Sequence, residues 1–247
     1  MRFTAGLDGA IIQSHGCKLL GGFYRAAGEL PRPTALLLHG VPGVEKNMDI
    51  AYALRDAGWN CLYFHYRGSW GSEGSYSFHH LQDDTRAAAD WACAQPSTDT
   101  DRLAIIGMSM GGWTAGMAFA SDMRFKAAAL LSPLSDPTAS RLSLELAAEF
   151  ALPLSGTSAE RLAAEWDELH SLPSLADRLG GRPLLLVTAG HDELFPPDHY
   201  NSLLAALPGL DHRRFPEADH IFSAQRRELV ETVVSWLLDH AKTDLVA

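Results

Sequence analysis

The sequence predicts an α/β fold with a mostly parallel central sheet and helices on both faces. Three observations carry this. Compact apolar runs alternate with stretches of helical periodicity along most of the chain. The runs are apolar at nearly every position, the mark of strands buried on both sides. Glycine and proline punctuate the junctions between them. At 247 residues the chain suits one large α/β domain or two small ones, and a single domain over 1–247 is expected. A chain of this size can bury most of its unfolded surface without disulfides or metal.

The elements follow in order. Residues 3–25 read as short strands joined by turns, with Gly9 and His15-Gly16 as breakers. After Pro31-Arg32-Pro33, the run Thr34 to His39 is a buried strand. A helix follows near 48–57, with Gly58 at its stop. Trp59 to His65 is the next strand, and a loop rich in Gly and Ser runs from Arg67 to Ser77. Residues 81–94 form a helix, Arg102 to Gly107 a strand, 110–121 a helix and Lys126 to Leu131 a strand. The alternation resumes with a strand from Pro183 to Thr188, a helix over 197–207, a strand over 211–215 and a helix over 221–240. In that last helix Val230, Val233, Val234 and Leu237 recur at helical spacing, so one face packs on the sheet. Such alternation implies a sheet covered on both sides.

Segment 133–180 breaks the rhythm. It holds no good strand but at least two amphipathic helices. In the first, Leu142, Leu146 and Phe150 line up beside a charged row, Arg141, Glu145 and Glu149. Thr157-Ser158-Ala159-Glu160 resembles a capping box opening the second, where Leu162, Trp166 and Leu169 share a face. A small helical cap inserted over the sheet's edge is expected, with ordinary crossover helices as the alternative.

Composition narrows the function classes. Hydrophobic residues make up 47% and charged residues 20%, and the formal net charge of −10 disfavours nucleic acid. No apolar stretch is long enough to span a bilayer. Cys17, Cys61 and Cys93 are odd in number and lack metal-ligand spacing, so they read as buried free thiols. Unpaired cysteines suit a reducing compartment, and Met1 to Gly6 lacks the apolar core of a signal peptide. A soluble cytoplasmic protein is expected.

The chemistry is carried by Gly107-Met108-Ser109-Met110-Gly111, which follows an apolar strand and opens a helical pattern. That setting gives the short motif its force. A serine at the tip of a sharp strand-to-helix turn stands clear of the sheet. Side chains at 107 and 111 would collide where strand and helix converge, so both positions are glycine. A neutral serine needs a base within reach and an acid behind that base. In chain order the acid should follow a late strand, and Asp192 does, with Glu193 as fallback. The base should follow the last strand, and His220 does. The turn points the amide of Met110 towards substrate. A second amide should come from the loop after the early strand, where Val41 can supply it and Pro42 cannot. His39, at the end of that strand, is expected to brace the loop.

These residues together resemble the α/β-hydrolases. The nearest branch is the single-domain one of dienelactone hydrolases, feruloyl-type esterases and prolyl-oligopeptidase-like catalytic domains. The resemblance covers roughly 34–131 and 183–240. It includes His39-Gly40, the loop Tyr66-Arg67-Gly68-Ser69-Trp70-Gly71-Ser72-Glu73-Gly74, the Gly107–Gly111 turn, Gly190-His191-Asp192 and Asp219-His220. It implies hydrolysis of an ester, thioester or amide through an acyl-enzyme, with no cofactor and no metal. Trp70, Phe150 and Trp166 are the expected substrate-binding residues. Dienelactone hydrolases usually carry a cysteine where this chain has Ser109. Only about thirty residues precede the first central strand, so no propeller domain is expected. The expected substrate is a small-molecule ester, with no nucleic-acid or membrane partner; a homodimer stays open. The rival readings are an aminopeptidase or amidase, and a catalytically silent binding protein on the same fold.

Overall fold

The computed structural model describes residues 2–29 and 31–240. An eight-stranded sheet runs through the molecule in the order β1-β2-β4-β3-β5-β6-β7-β8. The strands are β1 Gly6–Ser14, β2 Cys17–Arg25, β3 Arg32–Leu38, β4 Asn60–Phe64, β5 Thr98–Met108, β6 Phe125–Leu131, β7 Leu184–Ala189 and β8 Asp211–Phe215. β1 and β2 pair antiparallel, β2 joins β4 antiparallel, and every pairing from β4 to β8 is parallel.

Period-two alternation along the parallel strands splits the core into two layers. Leu36, Leu62, Ile105, Leu130 and Leu186 face one side, where helices α2 (Leu81–Cys93) and α3 (Met110–Ser121) cover them. Leu37, Cys61, Ile106, Ala129 and Leu185 face the other, under α1 (Met48–Asp56) and α8 (Arg226–His240). The remaining helices are α4 (Leu144–Ala151), α5 (Ala159–Trp166), α6 (Ala176–Leu179) and α7 (Asn201–Ala206). No helix among the described residues is long and apolar enough to cross a membrane.

Several boundaries differ from the sequence reading. Gly9 does not break a strand: it lies inside β1, opposite Gly22. Only His15-Gly16 turns the chain, with φ of 47° and 80°. β5 begins four residues before Arg102, at Thr98. The final helix starts at Arg226, because Phe222 takes a φ of 58° in a turn closed by its amide on the Asp219 carbonyl. Its buried stripe is Leu229, Val233, Trp236 and Leu237, with Val230 and Val234 at the margin. Of the three cysteines, all free, only Cys61 is buried, and that burial pushes its thiol pKa up.

The segment 133–180 leaves the carboxyl end of β6 and carries α4, α5 and α6. Serines cap the first two helices: Leu146 N donates to Ser143 Oγ at 3.1 Å and Arg161 N to Ser158 Oγ at 3.3 Å. Helix α5 is therefore capped by Ser158, one residue later than the Thr157 reading. Leu142 and Arg141 lie outside α4, before its cap, so the charged row Arg141, Glu145 and Glu149 is not a row on one helix. Glu165 clips α5 to the loop before α2. Its carboxylate is buried and accepts from Ser77 Oγ at 2.9 Å, Phe78 N at 2.8 Å and Arg161 Nε at 2.7 Å.

Candidate active site

The parallel register brings the ends of β5, β7 and β8 to one edge of the sheet. Met108 sits opposite Leu131, Leu131 opposite Val187, and Ala189 opposite Phe215. Ser109, Asp192 and His220 each follow one of those ends, where ligands of open α/β sheets gather.

Ser109 adopts φ 57° and ψ −123° between β5 and α3. Its amide donates to the Leu131 carbonyl at 2.9 Å, and its own carbonyl accepts from Trp113 at 3.1 Å and Leu134 at 3.2 Å, so the turn is tied on both sides. The glycines around it are steric necessities. A Cβ on Gly107 would stand 2.0 Å from the Gly111 carbonyl oxygen, and one on Gly111 would stand 2.4 Å from that of Leu38. Gly40 shows how near the early loop approaches: its Cβ would lie 3.0 Å from Ser109 Cβ.

Asp192 is buried at the end of the β7 turn. Its Oδ1 accepts from Leu194 N at 2.9 Å and Phe195 N at 2.8 Å, and its Oδ2 meets His220 Nδ1 at 2.8 Å. A carboxylate oxygen accepts, so Nδ1 carries the hydrogen and Nε2 is left with its lone pair. Glu193 is exposed and takes no part. Ser109 Oγ has no hydrogen-bond partner among the described residues, so the serine–base bond is not closed in this state. Such bonds often tighten only with substrate in place.

Ser109 opens on a narrow cavity with about 390 Å³ of empty space, its mouth included. Val41 and Met110 line it beside Ser109, and Met110, first in its helix, has no intrahelical acceptor for its amide. The Val41 amide also makes no hydrogen bond among the described residues. The two amides expected to receive an oxyanion thus share one cavity with the serine.

The inserted segment contributes Ser140, Arg141, Leu142, Leu146, Phe150 and Trp166 to the walls. Phe150 is half-buried, whereas Trp166 is 4% exposed and held from behind, its Nε1 donating to Ser140 O at 2.6 Å. The acid turn supplies Leu194 and Phe195, and the Phe195 ring meets His220 edge-on, centroids 5.5 Å apart. The structure places Trp70 outside this cavity. Its Nε1 donates to Pro42 O at 2.7 Å and Lys46 Nζ sits 4.2 Å over its ring, so it braces the Val41 loop from behind.

His39 braces the same loop from below, as expected. Its Nδ1 donates to the Gly40 carbonyl at 2.7 Å, and burial pushes its pKa down to about 4. His65, ring centroid 5.4 Å away, is pushed down to about 3 by burial and then by the nearby His39 and Lys46. Both rings are neutral near pH 7.

Three positioning residues escaped the sequence reading. Asp84, fully buried, anchors the Arg67 loop: it accepts from Arg67 Nε at 2.7 Å, Arg67 N at 2.9 Å and Ser14 Oγ at 2.6 Å. Its signal was an acid on the apolar face of α2, between Leu81 and Ala88. His199 stacks on Phe195 at 4.8 Å and accepts from Ser135 N at 2.9 Å, joining the acid turn to the loop after β6. Phe195 itself stood legible as an apolar residue just past the acid.

The chain resembles known proteins in sequence and in fold. The quorum-quenching protein AidA of Acinetobacter baumannii is 28% identical over 207 residues, 80% of this chain but 64% of that protein's length. Est1E of Butyrivibrio proteoclasticus, solved with ferulic acid bound, superposes with a TM-score of 0.79 at 18% identity, covering 94% of this chain and 98% of that one. A puromycin-hydrolysing peptidase of Mycobacterium tuberculosis superposes at 0.74 with 21% identity, covering 97% of this chain and 40% of its own. At such identities the likeness establishes the α/β-hydrolase fold. The model of the prolyl oligopeptidase family matches residues 46–244, and the chain belongs to that family.

Proposed function

We propose that the protein is a serine hydrolase that cleaves carboxylic esters of small to medium acyl groups through an acyl-enzyme. The observation that carries this reading is the Asp192–His220 bond of 2.8 Å at the sheet edge where Ser109 stands on its strained turn. His220 Nε2 takes the hydroxyl proton as Ser109 Oγ attacks the acyl carbon. The carbonyl oxygen becomes an oxyanion facing the Val41 and Met110 amides. His220 then gives the proton to the leaving alkoxide, and water repeats the sequence on the acyl-enzyme. Segment 133–180 acts as a cap: it walls the cavity, and so governs which acyl groups enter.

A peptidase or amidase reading is favoured by the family match over 46–244. An aminopeptidase must hold the substrate's α-ammonium, yet the charged residue among the cavity's lining residues is a cation, Arg141. The ester reading is therefore preferred.

The test is labelling and turnover together. An organophosphonate is expected to attach once, on the peptide containing Ser109. Ser109→Ala is expected to abolish nearly all p-nitrophenyl butyrate hydrolysis, with a residue of up to ~10³–10⁴ over water from the remaining site. Labelling elsewhere, or peptide amides turned over faster than matched esters, would refute it.

A further inference from the structure

Arg141 is the arginine that lines the cavity of Ser109. Several guanidiniums are held by acids, Arg67 by Asp84, Arg124 by Asp122 and Asp90, Arg161 by Glu165 and Arg226 by Asp49, while Arg178 and Arg214 make no ion pair among the described residues. Arg141 has no ion pair and no hydrogen bond among the described residues, although acids exceed bases 30 to 20 in the sequence. Its own sequence neighbours explain why. Glu145 stands four residues on, the spacing of a helical ion pair, but Ser143 caps α4 after Arg141, which leaves the arginine outside the helix and that pairing unmade.

The backbone that carries Arg141 is nonetheless fixed. Trp166 Nε1 holds the carbonyl of Ser140 at 2.6 Å, and Leu142 is buried. Arg141 lines the same cavity as Ser109, among Leu142, Leu146, Phe150 and Phe195. Arg141 is exposed, so its planar, permanently charged fork stands free at the cavity wall and suits a carboxylate, which it can take bidentately.

Resting on the ester-hydrolase reading, we propose that Arg141 selects substrates bearing a carboxylate, such as half-esters of dicarboxylic acids. The carboxylate lies against the guanidinium while the ester carbonyl lies against Ser109. Arg141 is thus a specificity-determining residue, apart from the bond-breaking step.

Two matched pairs of probes separate the acyl side from the leaving-group side. One is p-nitrophenyl glutarate half-ester against its methyl ester. The other is p-carboxyphenyl butyrate against its methyl ester. Wild type is expected to prefer the free acid in at least one pair, and added salt is expected to reduce that preference. Arg141→Gln is expected to cut the preference ~10–100-fold, mostly through KM, and Arg141→Lys to restore part of it. Equal scaling of acid and methyl ester by Arg141→Gln in both pairs overturns the proposal. If wild type hydrolyses none of the four esters, the ester reading fails instead, and calorimetry then decides for Arg141. Monomethyl glutarate is titrated into Ser109→Ala and into Ser109→Ala with Arg141→Gln, and weaker binding to the second supports carboxylate recognition. Equal binding overturns it.

Discussion

At position 192 both carboxylate oxygens are engaged, one by two backbone amides and the other by His220. An asparagine has one acceptor oxygen and one donor group. It must turn its NH₂ against either the imidazole N–H or the Leu194 and Phe195 amides. Asp192→Asn is therefore expected to lower kcat/KM for an acyl ester by ~10³–10⁴, while Glu193→Gln, at an exposed position, changes it by less than about twofold. Steady-state kinetics on one ester checks both; a damaged Glu193 variant would reassign the acid. Residues bound by short-range sterics were readable in advance. Gly107 is forced by the Gly111 backbone four residues on, which the local motif encodes, whereas Gly111 answers to the Leu38 and His39 carbonyls at the end of β3, which it does not. Arg141 was not readable, since its freedom depends on where a helix begins, and Trp70 was misplaced because its partner, the Pro42 carbonyl, lies 28 residues away.

Helices α4 and α5 show how much an element's period reveals and where it stops. The amphipathic spacing announced both helices, but each start is set by a serine hydroxyl competing with its neighbours for a free amide, a margin of about 1 kcal/mol. That is why the capping pattern points to Thr157 although Ser158 forms the cap. The two aromatic walls differ in kind. Phe150 is half-buried with its face on the cavity, so Phe150→Ala is expected to shift relative kcat/KM between short and long acyl esters by ~10-fold or more. Trp166 also binds two carbonyls, Ser140 and Pro137, and meets Phe78 edge-on. Trp166→Ala is expected to cost ~3–5 kcal/mol of stability, read as a lower urea midpoint, before any effect on selectivity. Uniform scaling of all esters by Phe150→Ala would remove α4 from substrate selection.

Over the whole molecule, buried neutral histidines set the response to acid. His39, His65 and His199 all have pKa values lowered first by burial. An unfolded histidine titrates near 6.5, whereas folded His39 does so near 4. Between those values the unfolded chain binds more protons, so stability falls as pH falls through the window. Urea unfolding at pH 7 and about pH 5 is expected to show a loss, and His39→Asn to reduce it; stability that holds or rises on acidification would contradict this. The parallel sheet was legible at this scale because its central strands β3, β6 and β7 are buried along nearly their whole length. The antiparallel pairing of β1 and β2 was not resolved, since a glycine inside a strand reads like a break until Gly22 is seen opposite Gly9.

The left-handed conformation of Ser109 has an evolutionary edge. A non-glycine residue held there carries a strain of about 1–3 kcal/mol, which glycine would not feel. Glycine has no hydroxyl, so on the proposed serine-hydrolase reading the replacement that relaxes the turn also ends the chemistry. Thermal robustness and turnover are in conflict at this codon. A randomised position 109 screened only for survival of heating is expected to enrich glycine, and the same library screened for hydrolysis to return serine. On that reading hydrolytic selection keeps the turn tense, and a lineage released from it would drift towards a steadier, inert protein.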